Sequence, residues 1–495
     1  MFKKILIANR GEIASRIART CRELNIQTVA IYSEADVSSS HLHVADEAIY
    51  IGQAQATASY LNAEAIIQAA KRVEAEAIHP GYGFLSENAS FARQVERAGL
   101  TFIGPSPESL EAVGNKIFAR QTVARLGVPV IPALENPSIE PAVLREQVHA
   151  LGYPLLIKAA AGGGGKGMRI VRQEKDLADA VAAAQREASS AFADGTVYLE
   201  RYLERPRHVE VQILGDKEGS LIHLGERECS IQRRYQKILE ETPSPVVSEQ
   251  LREKMTTAAL TVARAAHYHN AGTVEFILDE QGHFYFLEVN ARLQVEHPIT
   301  EWVTRLDLVR EQIRIAAGDR LDIRQEDVQR KGHAFECRVY AEDPANGFFP
   351  SPGKVLAWQA PYGPGVRVDA GVEQQTEVSV YYDPLIAKLS TWGQEREQAR
   401  KRMEAALRQC VVLGPITNVE FLLDLIAHPA FISGNTHTGF LTEHFQQWRP
   451  QRKTHLLEAA LIAAVVQSQD NAKESVSRQN AVTPWQQLGG WRIGE

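Results

Sequence analysis

The sequence predicts an α/β chain that begins as a doubly wound domain, continues as an α+β domain and ends in a mixed, β-rich domain. Three observations predict it. In the first hundred residues short β-type runs alternate with helical patterns, the signature of βαβ units on a parallel sheet. An apolar strand pattern at 154–160 then runs into four consecutive glycines, 162–165, in a segment of mixed strand and helix patterns. Beyond Lys331, glycine, proline and aromatic residues cluster as at 347–353, the composition of turns joining antiparallel strands, with helical patterns following to about 445. A length of 495 residues suits about three domains at roughly 150 residues each.

The first domain takes strands at 5–8, 28–32, 48–51, 76–79 and 101–103. Its shape is Rossmann-like, but Asn9-Arg10-Gly11-Glu12 stands where a dinucleotide site needs Gly-x-Gly-x-x-Gly, so the domain reads as scaffold. In the second, a helix is predicted over 115–126, strands over 154–160, 196–203, 207–214 and 271–290, and a long helix over 249–267. After residue 448 a short apolar helix precedes a polar linker, 467–482.

Composition narrows the classes. With 44% hydrophobic and 23% charged residues the chain is neither collagen-like nor disordered. A formal net charge of −7 offers no general attraction to nucleic acid or an anionic membrane, so any anionic ligand needs a local basic pocket. Cys21, Cys229, Cys337 and Cys410 are widely separated, which argues against a disulfide framework or a zinc cage and for a reducing, cytoplasmic compartment. The N-terminus reads as a first strand, with no signal-peptide pattern. The apolar stretch 456–466 holds Glu458 and falls far short of the roughly 20 residues that span a bilayer, so no membrane anchor is expected.

Three constellations carry chemistry. Gly162 to Gly165, with Lys166, Gly167 and Met168, would let backbone N–H groups surround phosphate oxygens; the alternative is a flexible hairpin tip. Gly-Lys-Gly is not the Gly-Lys-Ser/Thr of a Walker loop. Lys158, a cation in an apolar strand, calls for an anionic partner that a phosphate would supply. Next, a hairpin turning at Gln281-Gly282 puts Glu275 opposite Glu288 with Asn290 on the same face, an all-oxygen set suited to Mg²⁺ or Mn²⁺ or else a merely acidic surface. Finally, Arg292, Gln294 and Glu296 alternate as on an extended segment, with Pro298 keeping His297 out of the helical region, so that a guanidinium could hold a small oxyanion beside a carboxylate base. Arg338, facing away from Phe335, Cys337 and Val339, reads as an ion-pair partner, while His208 to Gln212 and 229–237 add polar groups. Tyr82 and Cys229 read as packing residues.

The motifs at 79–88, 162–168, 226–234 and 288–297 together resemble the biotin carboxylases of biotin-dependent carboxylases, over about residues 1–447. The segment after it, with Thr483-Pro484-Trp485 and Gly490-Trp491-Arg492, is similar to that of bacterial acetyl-, propionyl- and other acyl-CoA carboxylase α subunits. The resemblance implies an N-terminal domain at 1–113, an ATP-grasp domain at 114–330 with a mobile lid at about 131–203, a C-terminal domain at 331–447 and a tail at 448–495. It implies carboxylation of biotin through carboxyphosphate made from ATP and bicarbonate. Lys116, Lys158, Gly163, Gly164, Gly165, Lys166, Gly167, Met168, Glu200, Tyr202, Leu203, His208, Gln232, Glu275 and Glu288 would then meet ATP. Glu275, Glu288 and Asn290 would hold metal. Lys237, Arg292, Gln294 and Val295 would position bicarbonate, Glu296 would deprotonate it and Arg338 would stabilise the biotin enolate. Tyr235 stands where the family frequently has histidine, and a phenol cannot become cationic near neutral pH. No Met-Lys-Met biotinylation motif occurs, so biotin is expected on another chain or on a missing C-terminal domain. A carrier protein or domain, a carboxyltransferase and a homodimer or larger assembly are the implied partners. Another ATP-grasp carboxylate–amine or carboxylate–thiol ligase, or the corresponding part of a pyruvate or urea carboxylase, is the alternative.

Overall fold

In the computed structural model, residues 1–450 are described except 136, 138, 139, 161–167 and 193, and without the side chains of 116–118, 141 and 192. Strands β1 (Lys4–Ile7), β2 (Gln27–Ser33), β3 (Glu47–Gly52), β4 (Ala77–His79) and β5 (Thr101–Phe102) form a parallel sheet in the order β3-β2-β1-β4-β5. All five strands predicted for the doubly wound domain are present. Helices between and after them start at side chains that accept otherwise orphaned N–H groups: Asn62 from Ala65, Asn88 from Phe91 and, beyond β5, Ser106 from Ser109. The turn after β1 is committed to internal contacts. Asn9 Nδ2 donates to the carbonyls of Pro80 and Tyr82, and Arg10 grips Asp36 with two nitrogens.

Strands β6 (Ala133–Glu135), β7 (Leu155–Ala159), β8 (Arg169–Val171) and β9 (Val197–Arg201) make a small antiparallel sheet, order β6-β9-β7-β8. It has its own apolar core with the helix Leu177–Phe192. The largest sheet contains β10 (Arg207–Gly215), β11 (Leu221–Arg233), β12 (Gln236–Thr242), β13 (Asn270–Leu278), β14 (Phe284–Asn290) and β15 (His333–Tyr340). Its order is β14-β13-β10-β11-β12-β15, continued by Leu385–Gly393 and Val366–Ala370, and every ladder is antiparallel. Strands from beyond residue 331 thus extend the central sheet rather than only pairing among themselves. The thirteen-residue β11, the longest strand described, lies in a stretch for which the sequence suggested polar contacts but no strand.

Two apolar clusters join the parallel sheet to the large one. One runs from Leu6, Ile78 and Phe91 to Val209, Val211 and Phe276; the other from Ile5, Ile7 and Ile17 to Leu214, Ala271 and Ile313. Each fully buried side chain of this size contributes about 1.5–3 kcal/mol, so the sheets are fixed against each other by their cores. No helix among the described residues is long and apolar enough to cross a membrane.

Candidate active site

Strand β10 alternates. Val209, Val211 and Ile213 enter the core, leaving His208, Glu210 and Gln212 on the opposite face. From β11 the fully buried Arg227 donates to Glu210 Oε1 at 2.6 Å, Gln212 Oε1 at 2.7 Å, Thr300 Oγ1 at 2.9 Å and Thr273 Oγ1 at 3.1 Å. Every arm of the guanidinium is satisfied, as a buried charge requires.

Lys237 Nζ lies 2.5 Å from Glu210 Oε2, 2.9 Å from Glu275 Oε1 and 2.7 Å from Glu296 Oε1. Arg338 bridges Glu240 Oε1, 2.6 Å from its Nε, and Glu296 Oε2, 2.9 Å from its Nη2. Lys237 and Glu240 are three residues apart, yet both reach this cluster. The β11–β12 ladder shifts between Ile231↔Leu239 and Gln232↔Lys237, so one extra residue on β12 brings the two side chains to one face. Burial would lower the Lys237 ammonium, but the carboxylates of Glu210, Glu275 and Glu296 raise it well above its ordinary value. Burial would raise the Glu296 carboxyl, but Lys237, Arg338 and Arg227 hold it well below the carboxylate range. Both groups are therefore charged at neutral pH. Cys229 Sγ lies 3.8 Å from Glu296 Oε1, with burial and Glu210 keeping the thiol protonated, so this residue sits in the site rather than in mere packing.

Glu275 and Glu288 are direct partners, with Thr273 opposite Asn290. The expected pairing is present, but the turn differs: Leu278 pairs with Phe284 and Asp279 N–H donates to the His283 carbonyl, leaving three loop residues instead of two. A bulge at Leu287 restores the register before Glu288. Lys237 and His208, whose Nε2 lies 2.9 Å from Glu275 Oε2, overcome burial and hold Glu275 well below the usual range. Ligand atoms of His208, Glu210 and Glu275 lie within 4.8 Å of one another. The Lys237 ammonium already stands among them.

Arg292 donates to Glu87 Oε2 at 2.9 Å, Asn290 Oδ1 at 2.9 Å and Gln294 Oε1 at 2.8 Å, while Gln294 Nε2 reaches Glu275 Oε1 at 3.3 Å. Val295 is held through its carbonyl by Lys388 Nζ at 2.9 Å. The segment is not the extended run expected from its alternation. Glu296 stands at the N-cap position of the helix His297–Thr304 without a capping side-chain bond, and Pro298 sits in its first turn, where a missing N–H costs nothing. His297 is therefore helical, contrary to the expectation from Pro298.

On the small sheet, Lys158 Nζ lies 2.5 Å from Glu200 Oε2, and Arg120 holds the other oxygen at 2.9 Å. The anionic partner expected for Lys158 is thus present within the protein, because the β7–β9 pairing sets Glu200 diagonally across from it. Tyr202, Leu203 and Met168 are partly buried, and Gln232 Nε2 is 3.3 Å from His208 Nδ1. Arg234 and Tyr235 form the two-residue β11–β12 turn, both with positive φ. Burial and Tyr202 push the Tyr235 phenol up, and Lys158 opposes them. Gly163, Gly164, Gly165, Lys166 and Gly167, and the Lys116 side chain, lie outside the described residues.

Family models cover most of the chain. Biotin carboxylase, N-terminal domain, matches residues 1–110; Carbamoyl-phosphate synthase L chain, ATP binding domain, 115–324; and Biotin carboxylase C-terminal domain, 336–443. The biotin carboxylase of Nostoc sp. is 50% identical over 442 residues, 89% of this chain and 99% of that protein. The chain belongs to the biotin carboxylase family. As a biotin carboxylase it is an ATP-dependent ligase of the mixed α/β, ATP-grasp fold. Methylcrotonoyl-CoA carboxylase subunit alpha, mitochondrial, of Dictyostelium discoideum is 47% identical over 491 residues, 99% of this chain and 70% of that protein. A solved biotin carboxylase domain dimer of the Hydrogenobacter thermophilus 2-oxoglutarate carboxylase, in complex with MgADP, ADP and bicarbonate, superposes with a TM-score of 0.88 at 45% identity, covering 91% of this chain and all of that one.

Several residues of this biotin carboxylase site escaped the sequence reading. Glu210 was signalled by the alternation His-Val-Glu-Val-Gln, which puts it on the face of His208. Glu87 lies in the 79–88 motif, but nothing local says that it will hold Arg292 and the Ala291 N–H from about two hundred residues away. Glu240 depended on the β12 bulge. Lys388, fully buried and 3.1 Å from Glu12, had no signal beyond a charge inside an apolar strand.

Proposed function

We propose that this chain performs the first half-reaction of a biotin-dependent carboxylase: ATP and bicarbonate give carboxyphosphate, which carboxylates biotin presented on a carrier protein or domain. The observation that carries the reading is Glu296, ionised and buried between Lys237 and Arg338, beside the Arg292–Gln294 pair and the Glu275–Glu288 face. In this reading Lys237, Arg292, Gln294 and Val295 position bicarbonate, Glu296 takes its proton and Arg338 favours negative charge on the biotin ureido oxygen. Lys116, Lys158, Glu200, Tyr202, Leu203, His208, Gln232 and the 163–168 loop are assigned to ATP. Glu275, Glu288 and Asn290 would hold Mg²⁺ or Mn²⁺, which supplies charge neutralisation at the transferring phosphoryl group. The division into 1–113, 114–330, 331–447 and a tail is part of the reading, as are a cytoplasmic setting, which four buried free cysteines support, a homodimeric or larger assembly and a carboxyltransferase partner.

ATP cleavage is expected to require bicarbonate and to rise with free biotin. Cleavage driven instead by an amino acid without bicarbonate would move the chain to a different ligase class. Glu288→Gln keeps the side-chain shape and removes one charge from the metal face. Its Mg²⁺ requirement should rise by at least about 10–100-fold, the cost attached even to losing an outer-sphere partner, with an unchanged melting midpoint. An unaltered Mg²⁺ titration would remove Glu288 from the ligand set.

A further inference from the structure

A second carboxyl pair lies behind the site. Strands β12 and β15 run antiparallel with Glu240 directly opposite Glu336, and both residues are fully buried. Directly opposed residues place their Cβ atoms about 4.5–5.5 Å apart, where two fully buried carboxylates cannot both remain ionised at low cost. Glu240 Oε1 accepts from Arg338 Nε at 2.6 Å. Glu240 Oε2 and both oxygens of Glu336 have no hydrogen-bond partner among the described residues. Three buried carboxyl oxygens left in this way on facing strands point to a missing proton between them, since an ionised pair is acceptor-only and a protonated carboxyl can donate.

Among the described residues Arg338 is the one cation hydrogen-bonded to the pair. Lys237, on β12, is occupied by Glu210, Glu275 and Glu296. Lys388, opposite Arg338 on the strand Leu385–Gly393, is engaged by Glu12 and the Val295 carbonyl. Glu296 faces the pair from the segment after β14, Cys229 from β11 and Tyr340 from β15, while Cys337 lies on the opposite face of β15.

We propose that Glu240 and Glu336 share one proton at neutral pH, and that the single negative charge left on the pair holds the Arg338 guanidinium in register for biotin, making Glu240 a positioning residue. The inference rests on the placement of biotin at Arg338. Burial, with Glu296 adding and Arg338 and Lys237 opposing, pushes Glu240 up to about 7. Burial, with Glu240 and Glu296 adding and Lys388 and Arg338 opposing, keeps Glu336 protonated well above the usual range. Glu336 donates its proton to Glu240 Oε2, and Glu240 stays ionised toward Arg338. As pH falls through about 7, Glu240 takes up a second proton. Arg338 then loses its ionised acceptor and turns wholly to Glu296, withdrawing both from the substrates.

The test uses the full chain with MgATP, bicarbonate and free biotin, and follows the ratio of biotin carboxylation to bicarbonate-dependent ATP cleavage between about pH 6 and 8.5. The wild-type ratio should fall several-fold as pH drops through about 7. Glu240→Gln should lower the ratio about tenfold at the upper end and abolish its pH dependence. Glu336→Gln replaces the donating carboxyl with a weaker amide donor, so ionised Glu240 loses stabilisation and the fall should move to higher pH, by up to about one pH unit. Infrared difference spectra of wild type minus Glu336→Gln should show the carbonyl band of a buried carboxylic acid at neutral pH. A flat wild-type ratio, a Glu240→Gln variant that keeps the wild-type fall, or the absence of that band would each overturn the proposal. Should Glu240→Gln fail to fold, the Glu336→Gln profile and the spectrum decide the matter. A wild-type enzyme without biotin-stimulated ATP cleavage would instead refute the assigned function, and the carboxylic acid band would still report the shared proton on its own.

Discussion

Glu296→Gln should lower bicarbonate-dependent ATP cleavage and biotin carboxylation together, each by about 10² to 10⁴, the usual cost of a positioned general base. Glutamine preserves the shape but cannot take the proton, so bicarbonate no longer attacks the γ-phosphoryl group efficiently and nothing reaches biotin. The fold should survive. Lys237 retains Glu210 and Glu275, and Arg338 retains Glu240, so neither buried cation is orphaned. The low pKa of Glu296 makes it a weak base while Lys237 and Arg338 grip it. Bicarbonate and biotin, by drawing those cations toward themselves, would return basicity to the carboxylate at the moment it is needed. Because Glu296 is held well below its ordinary range, activity lost on mild acidification is not expected to come from this group. Single-turnover ATP cleavage and ¹⁴C-labelled carboxybiotin formation are the two readouts. A variant that spares ATP cleavage while losing carboxylation would take the base role away from Glu296.

Arg338→Gln should divide the half-reactions. Carboxylation should fall by about 10² to 10³, as when one preorganised donor to a developing oxyanion is removed, while ATP cleavage falls less. The guanidinium touches Glu240 and Glu296 but none of the residues assigned to ATP. Stability should suffer as well. Removing the arginine leaves Glu240 and Glu296 buried with one cation fewer, a change that costs about 3–5 kcal/mol, read as a lowered unfolding midpoint in urea. Arg338→Lys keeps the charge but not the planar fork and should fall between the two. Equal losses of both activities in folded Arg338→Gln would place the residue in the ATP half of the site.

The contrast between these variants shows how far local sequence carries the site. Arg292, Gln294 and Glu296 could be picked out because polar and charged residues alternate along a short segment, whereas Lys237, one of the polar groups of 229–237, was given a role only by the family resemblance. Glu275 opposite Glu288 was also legible, though by a fortunate cancellation: the loop is one residue longer than supposed, and the bulge at Leu287 compensates. Turn length is a weak local preference, whereas burial of Val274, Phe276 and Val289 fixes which face each strand presents. Lys158 shows the opposite failure. Its charge demanded a partner, but the sequence could not say that β9 would bring Glu200 to it.

From the sequence alone came the alternation of strands and helices in the first domain, the order of the later segments and the family, because periodicity, turn residues and motifs are local properties. Only the tertiary structure decided that strands beyond residue 331 join the central sheet, that Glu87 anchors Arg292 and that Glu240 and Glu336 meet behind Arg338. Those contacts join residues about one hundred to two hundred positions apart, through strand pairing for the sheet and for Glu240 with Glu336, and between two loops for Glu87 with Arg292. Which charges become partners is set by register and bulges, and these follow from how whole sheets bury their apolar faces rather than from any short stretch of residues.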